Sequence, residues 1–170
     1  GEKGVLEEVV YEGFGPGGTA IMVECVTDSR ERTRSEVKNV FDKNGGTLGQ
    51  SGAVAYQFKQ VGLITVKKNG RELDDIFTKA VDSGADDIEE AGEDVLIYTN
   101  PTNLKALKDK LVKEGIAVVE AELYRMPTVT VPVSDKETAG KVLSLVDKLE
   151  SLDDVQKVYA NFDIPDELID

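Results

Sequence analysis

The chain has 170 residues, 40% of them hydrophobic and 31% charged, with a formal net charge of −13. These are values of a folded chain rather than a disordered one, and no apolar run approaches the roughly 18 residues of a membrane helix. There is no histidine and a single cysteine, Cys25, so the usual general base, the commonest zinc ligand and any disulfide within the chain are all missing.

A cytoplasmic, non-enzymatic protein without metal or cofactor is therefore the expectation. The charge is uneven: acidic against basic residues number 9 to 7 in residues 1–60, 14 to 9 in 61–126 and 10 to 4 in 127–170. Binding to nucleic acid by a whole basic surface is excluded, because counterion release needs a positive face. A local contact in the first third is not. The opening Gly1-Glu2-Lys3-Gly4 has no methionine, which suggests a trimmed chain.

Val5–Tyr11 reads as a strand. Gly13-Phe14-Gly15-Pro16-Gly17-Gly18 must be a loop, since no regular element tolerates that density of Gly and Pro. The loop matches G-x-G-x-x-G in letters, but it opens a strand, Thr19–Thr27, whereas a dinucleotide site needs a helix N-terminus there. A loop that touches a partner is the functional reading, and a structural turn is the alternative. Both faces of Thr19–Thr27 are apolar, which suits a central strand, and Cys25 reads as core.

Asp28 and Glu31 form a capping-box-like pair for a helix that runs to about Lys43, burying Val37, Val40 and Phe41, and Asn44-Gly45-Gly46 ends it. Arg30, Arg34 and Lys38 fall at i, i+4 and i+8 on one exposed stripe. Arg32, Thr33 and Lys43 add donors nearby. Such a set suits phosphate contacts. The competing reading is solvated helix surface with local pairs such as Arg32 to Glu36.

Ala53–Phe58 and Leu63–Lys67 read as strands, and Glu72–Ser83 as a helix. Asp87–Ala91 and Asp94–Thr99 form a hairpin across Gly92, whose acidic residues lack the spacing of a calcium loop. A helix opens at Asn100-Pro101 and stops at Gly115, and Ile116–Arg125 is a strand. After Met126-Pro127, Val129, Val131 and Val133 alternate as an edge strand. Ser134 and Glu137 box a helix carrying Ala139, Val142, Leu143, Val146 and Leu149. Val155–Phe162 is the last strand, followed by an acidic surface tail.

Residues 61–126 thus read β-α-β-β-α-β, the ferredoxin-like order. The flanking β-α-β segments join into a second unit of the same kind. The expected fold is α+β: two ferredoxin-like sandwich domains, with 61–126 inserted into a discontinuous domain of 1–60 plus 127–170.

YEGFGPGG, VECVTDSRERTRSEVK and FDKNGGTLGQSGAVAYQF together resemble the YebC family, bacterial relatives of the mitochondrial translational activator of cytochrome oxidase subunit one. The likeness is densest over about Glu7–Val66 and runs more loosely to the VYANFDIP end. It implies a three-domain protein in which a helical, Lys/Arg-rich N-terminal domain precedes two α+β domains. This chain corresponds to the latter two, so the basic domain is expected to be needed for full affinity.

The family includes regulators that bind DNA in transcription and factors that act on RNA at the ribosome. No enzymatic activity belongs to its pattern. Ser29 and Glu31 stand where the family carries asparagines, and Glu31 puts a negative charge beside the arginines. The resemblance makes Arg30, Arg32, Thr33, Arg34, Lys38 and Lys43 the expected nucleic-acid contacts. The ribosome or RNA is the expected partner, with DNA as the alternative and a protein-interaction module without nucleic acid as a third reading.

Overall fold

The structure, a computed structural model, describes residues 4–169. Lys59–Met126 forms one unit, and the flanking segments, through Phe58 and from Pro127 onward, form the other.

The flanking unit begins with an antiparallel hairpin of β1 (Glu7–Phe14) and β2 (Ala20–Thr27), in which Tyr11 faces Val23 and Phe14 faces Ala20. The connection is a 3-10 turn, Pro16–Gly18, with Gly17 and Gly18 at φ of 77° and 78°. That left-handed backbone costs glycine little because it has no Cβ. α1 (Arg30–Lys43) follows, capped by Ser29, whose side chain accepts from the Arg32 N–H. The cap is one residue later than Asp28, which instead forms an i,i+4 ion pair with Arg32 at 2.9 Å. α1 ends where the Gly46 N–H donates to the Phe41 carbonyl at 2.9 Å around Gly45, at φ 78°, the usual left-handed stop. β3 (Thr47–Leu48) then pairs with the end of β1.

Of the expected strand Ala53–Phe58 only Phe58 is in a strand, one that runs on without a break to Lys67. Ala55–Gln57 is a 3-10 turn, held by the buried carboxylate of Glu12, which accepts from the backbone N–H groups of Gly52, Val54 and Ala55 at 2.7, 2.9 and 2.7 Å. Donors bound to a side chain cannot also serve a sheet ladder, so this stretch turns instead of extending.

β4 (Phe58–Lys67), α2 (Leu73–Asp82), β5 (Asp87–Ala91), β6 (Asp94–Thr99), α3 (Leu104–Lys113) and β7 (Ala117–Pro127) make the inserted unit. Its sheet order is β5-β6-β4-β7, the ferredoxin-like arrangement, in which the two crossover helices lie on one face. Ile76, Ala80, Leu107 and Leu111 from the helices bury against Ile64, Val66, Val95 and Ile97 from the sheet. Each large side chain so buried contributes about 1.5–3 kcal/mol. On the edge strand β5, Asp87, Glu89 and Glu90 are exposed, and Lys68 pairs with Glu90.

β8 (Val131–Pro132), α4 (Lys136–Glu150), β9 (Val155–Ala160) and β10 (Phe162–Asp163) complete the flanking unit. The edge strand expected around Val129–Val133 shrinks to the two residues of β8, paired in parallel with β10, because Pro132 has no N–H with which to extend a ladder. Asp135, not Ser134, caps α4, accepting from the Thr138 N–H at 2.9 Å. The main sheet has the order β3-β1-β2-β9, and α1 and α4 pack on it through Val37, Phe41, Leu145 and Leu149 against Ile21, Val23 and Cys25.

Asn161, fully buried, closes this unit. Its Nδ2 donates to Gln57 Oε1 at 2.8 Å and to the Val129 carbonyl at 3.1 Å. Both four-stranded sheets are antiparallel and the class is α+β, with one unit inserted into the other. Among the described residues no helix is long and apolar enough to cross a membrane.

Candidate nucleic-acid interface

Val37 and Phe41 fix α1 against the sheet, so its remaining faces project Arg30, Arg32, Arg34, Lys38 and Lys43 outward. Three of the five are engaged by carboxylates. Arg30 Nε lies 3.0 Å from Glu7, Arg32 lies 2.9 Å from both Asp28 and Asp154, and Lys38 Nζ lies 2.6 Å from Asp42. The side chains of Arg34 and Lys43 make no hydrogen bond or ion pair among the described residues. The Arg32–Glu36 pair suggested by spacing gives way to Asp154, which lies 122 positions away and has no local signature.

Thr33 differs from the other expected contacts in being buried. Its hydroxyl donates to Asp154 Oδ2 at 2.8 Å and lies 2.6 Å from Thr27 Oγ1, which in turn accepts from the Ser29 N–H at 2.9 Å. Thr33 therefore positions the start of α1. The Arg32 guanidinium, and then the Thr33 hydroxyl, hold the Asp154 carboxyl below the ordinary carboxylate range. At the same end of α1, Tyr11 donates its hydroxyl to the Arg30 carbonyl at 2.9 Å.

The expected loop Gly13–Gly18 is shorter than its glycine content suggests, because Gly13 and Phe14 still pair with Ile21 and Ala20 as the end of β1 and only the residues from Gly15 to Gly18 turn. A Cβ on Gly13 would stand 2.7 Å from the Thr47 carbonyl and 2.8 Å from the Phe41 ring, and one on Gly15 would stand 2.6 Å from Thr19 Oγ1. Both are buried packing positions. Phe14, Gly17 and Gly18 are exposed and Pro16 is half-buried, so these four are the part of the loop within reach of a partner.

Two grooves flank α1 within this unit. One, of about 410 Å³, is lined by Arg32, Glu36, Asp153 and Asp154 among others, three carboxylates to one cation. The second, of about 470 Å³, is lined by Lys43, Lys136 and Lys141, with Glu137 as its one carboxylate. Lys136 and Lys141 were not among the expected contacts, because they lie some ninety residues beyond Lys43 and only the packing of α4 beside α1 brings them together.

Cys25 is core, 2% exposed, and burial pushes its thiol up to about 11. Among the described residues no group of three or more Cys, Asp or Glu is placed to hold a metal ion.

The family described as TACO1/YebC second and third domain matches residues 6–162. A probable transcriptional regulatory protein of Persephonella marina is 48% identical over 165 residues, covering 96% of this chain and 66% of that protein. One from Aquifex aeolicus is 46% identical over 164 residues, with the same coverage of each. The crystal structure of the conserved hypothetical protein Aq1575 from Aquifex aeolicus superposes with a TM-score of 0.91 at 45% identity, covering 100% of this chain and 69% of that one. The chain spans about two thirds of the length of the curated relatives it matches.

Proposed function

The chain belongs to the TACO1/YebC family, and on that premise we propose that it is a non-enzymatic regulator of gene expression that acts in translation, contacting RNA at the ribosome through the cations of α1. The observation that carries this reading is the exposed set Arg30, Arg34, Lys38 and Lys43 on one helix of a chain with net charge −13. The Arg30–Glu7 and Lys38–Asp42 pairs are solvent-exposed. Exposed pairs are worth about 0–1 kcal/mol, so a phosphate can take the place of Glu7 or Asp42 at little cost. Glu31, Glu36 and Asp42 on the same helix oppose docking along duplex DNA, which presents one charge per ~1.7 Å. Single-stranded RNA fits better, because its splayed bases and 2′-hydroxyls offer contacts beyond the phosphates and its backbone can bend around the carboxylates.

A second reading, a DNA-binding regulator of transcription, is favoured by the names of the relatives, probable transcriptional regulatory proteins. Reading base edges requires an element free to enter the major groove, and α1 is packed on its sheet.

Co-sedimentation with ribosomes at low and moderate salt tests the proposal, with the wild type beside Arg30→Glu/Arg34→Glu/Lys38→Glu. Salt-sensitive pelleting that the variant loses is the expected result. Equal pelleting of the two removes α1 from the contact, and a protected site on promoter DNA without pelleting turns the reading to transcription.

A further inference from the structure

We infer that the groove between the C-terminal end of α1 and the N-terminal turns of α4 is a phosphate-binding site for single-stranded RNA, with Lys43, Lys136 and Lys141 as its cations. This deepens the RNA-binding reading and rests on it. Three observations converge on the site.

The first is charge. The two grooves beside α1 are similar in size, but one has three carboxylates and one cation in its lining, and this one has three lysines and Glu137. Glu137 lies 3.2 Å from Lys141, and Lys148, one turn beyond the lining, donates to Asn44 Oδ1 at 3.0 Å. In a chain with 33 acidic and 20 basic residues, this gathering of lysines from two separate helices is a positive spot in a negative field. Lysine on a flexible stem suits a phosphate met as a point charge.

The second observation is Gly140. It lies inside α4, where glycine is a poorer helix former than almost any other residue, and a Cβ there would meet no atom within 4 Å. Packing against the protein therefore does not call for a glycine. Its lack of a side chain leaves the groove wall, shared with Ser144, open to a backbone that approaches closely.

The third is the glycine turn, which lies next to this groove without lining it. A Cβ on Gly45 would touch Pro16 at 3.4 Å, and one on Gly17 would stand 3.2 Å from the Thr138 methyl. The exposed end of the loop thus lies between the end of α1 and the first turn of α4, so that a strand held by the lysines passes Gly17 and Gly18.

The test titrates the full chain against a fluorescein-labelled 20-nucleotide single-stranded RNA at several salt concentrations, followed by anisotropy. Lys43→Glu/Lys141→Glu is expected to weaken binding at least tenfold. The slope of log affinity against log salt should fall by about 1.4, since each lost phosphate contact on a single strand removes about 0.7. Gly140→Gln is expected to raise the melting temperature and yet weaken binding severalfold, a combination that a merely structural glycine does not produce. Lys110→Glu/Lys113→Glu on α3, matched in charge change, is expected to leave affinity within twofold.

RNA should also shield Lys43, Lys136 and Lys141 from acetylation. Binding that survives in the groove variants but is lost in Arg30→Glu/Arg34→Glu/Lys38→Glu overturns the groove and leaves the broader reading standing. Equal loss in the α3 control overturns the groove as well. A wild type that binds no RNA overturns both.

Discussion

The backbone N–H of Ala20 donates to Oδ1 of Asn161 at 2.7 Å, across 141 positions of sequence. The same side chain donates to Gln57 and to the Val129 carbonyl, so one fully buried amide ties β2 to the two segments between which the inserted unit leaves and returns. Asn161→Leu removes the partner of a buried N–H, at about 1–3 kcal/mol, and two part-buried hydrogen bonds to Gln57 and the Val129 carbonyl, each worth about 0.5–1.5 kcal/mol. The expected outcome is a loss of roughly 3 kcal/mol, read in urea as a lower midpoint with an unchanged slope.

Glu12 does comparable work for the turn after β3. Three N–H groups converge on its carboxylate, and hydrogen bonds to a charged acceptor are about twice as strong as neutral ones. Glu12→Gln sets an amide NH₂ against these donors. It is expected to cost about 2 kcal/mol and to raise hydrogen exchange selectively at Gly52, Val54 and Ala55, measured residue by residue in NMR spectra.

Asp154 makes stability depend on pH in a stated direction. Its folded pKa is lowered, first by the Arg32 hydrogen bond and then by Thr33, so the unfolded chain takes up the proton more readily. The contribution is fully present above the unfolded value of about 3.9 and is lost as pH falls through the folded one. Between pH 5 and pH 2 the wild type should therefore lose more stability than Asp154→Asn. Parallel acid limbs in the two denaturation profiles would remove Asp154 from the acid response.

Gly13 has no room for a methyl group, with the Thr47 carbonyl at 2.7 Å and the Phe41 ring at 2.8 Å from a built Cβ. Gly13→Ala is expected to cost about 1–3 kcal/mol by overpacking, whereas Gly18→Ala, in open space at φ 78°, costs about 1–2 kcal/mol of backbone strain alone. A double variant with Phe41→Leu should recover part of the Gly13→Ala loss and none of the Gly18→Ala loss, as melting temperatures would report.

What the sequence disclosed followed from periodicity and turn chemistry. The inserted unit was legible element by element because its helices and hairpin are local and its apolar positions keep step with the helical and strand repeats. The errors fell where a distant side chain decides the local backbone. Glu12 turned residues 53–57 from strand to turn, and nothing in AVAYQF itself signals a carboxylate forty residues earlier. The α1 cations were visible as a stripe, but Glu7 arrives from β1 and Asp154 from the turn before β9, so neither pairing could be read from helical spacing. Lys136 and Lys141 carry no signal in the sequence, since only the packing of α4 beside α1 brings them to Lys43.

The placement of β9 beside β2 has a temporal consequence. β2 ends at Thr27 and its neighbour begins at Val155, so at ~5–20 residues per second of synthesis the first hairpin waits roughly 6 to 25 s for the strand that covers its free edge. The strands and helices of the inserted unit lie within Phe58–Pro127 and complete earlier. During that interval the nascent chain presents one finished sandwich and one open apolar sheet, and of these two units the one begun earlier is the later to close.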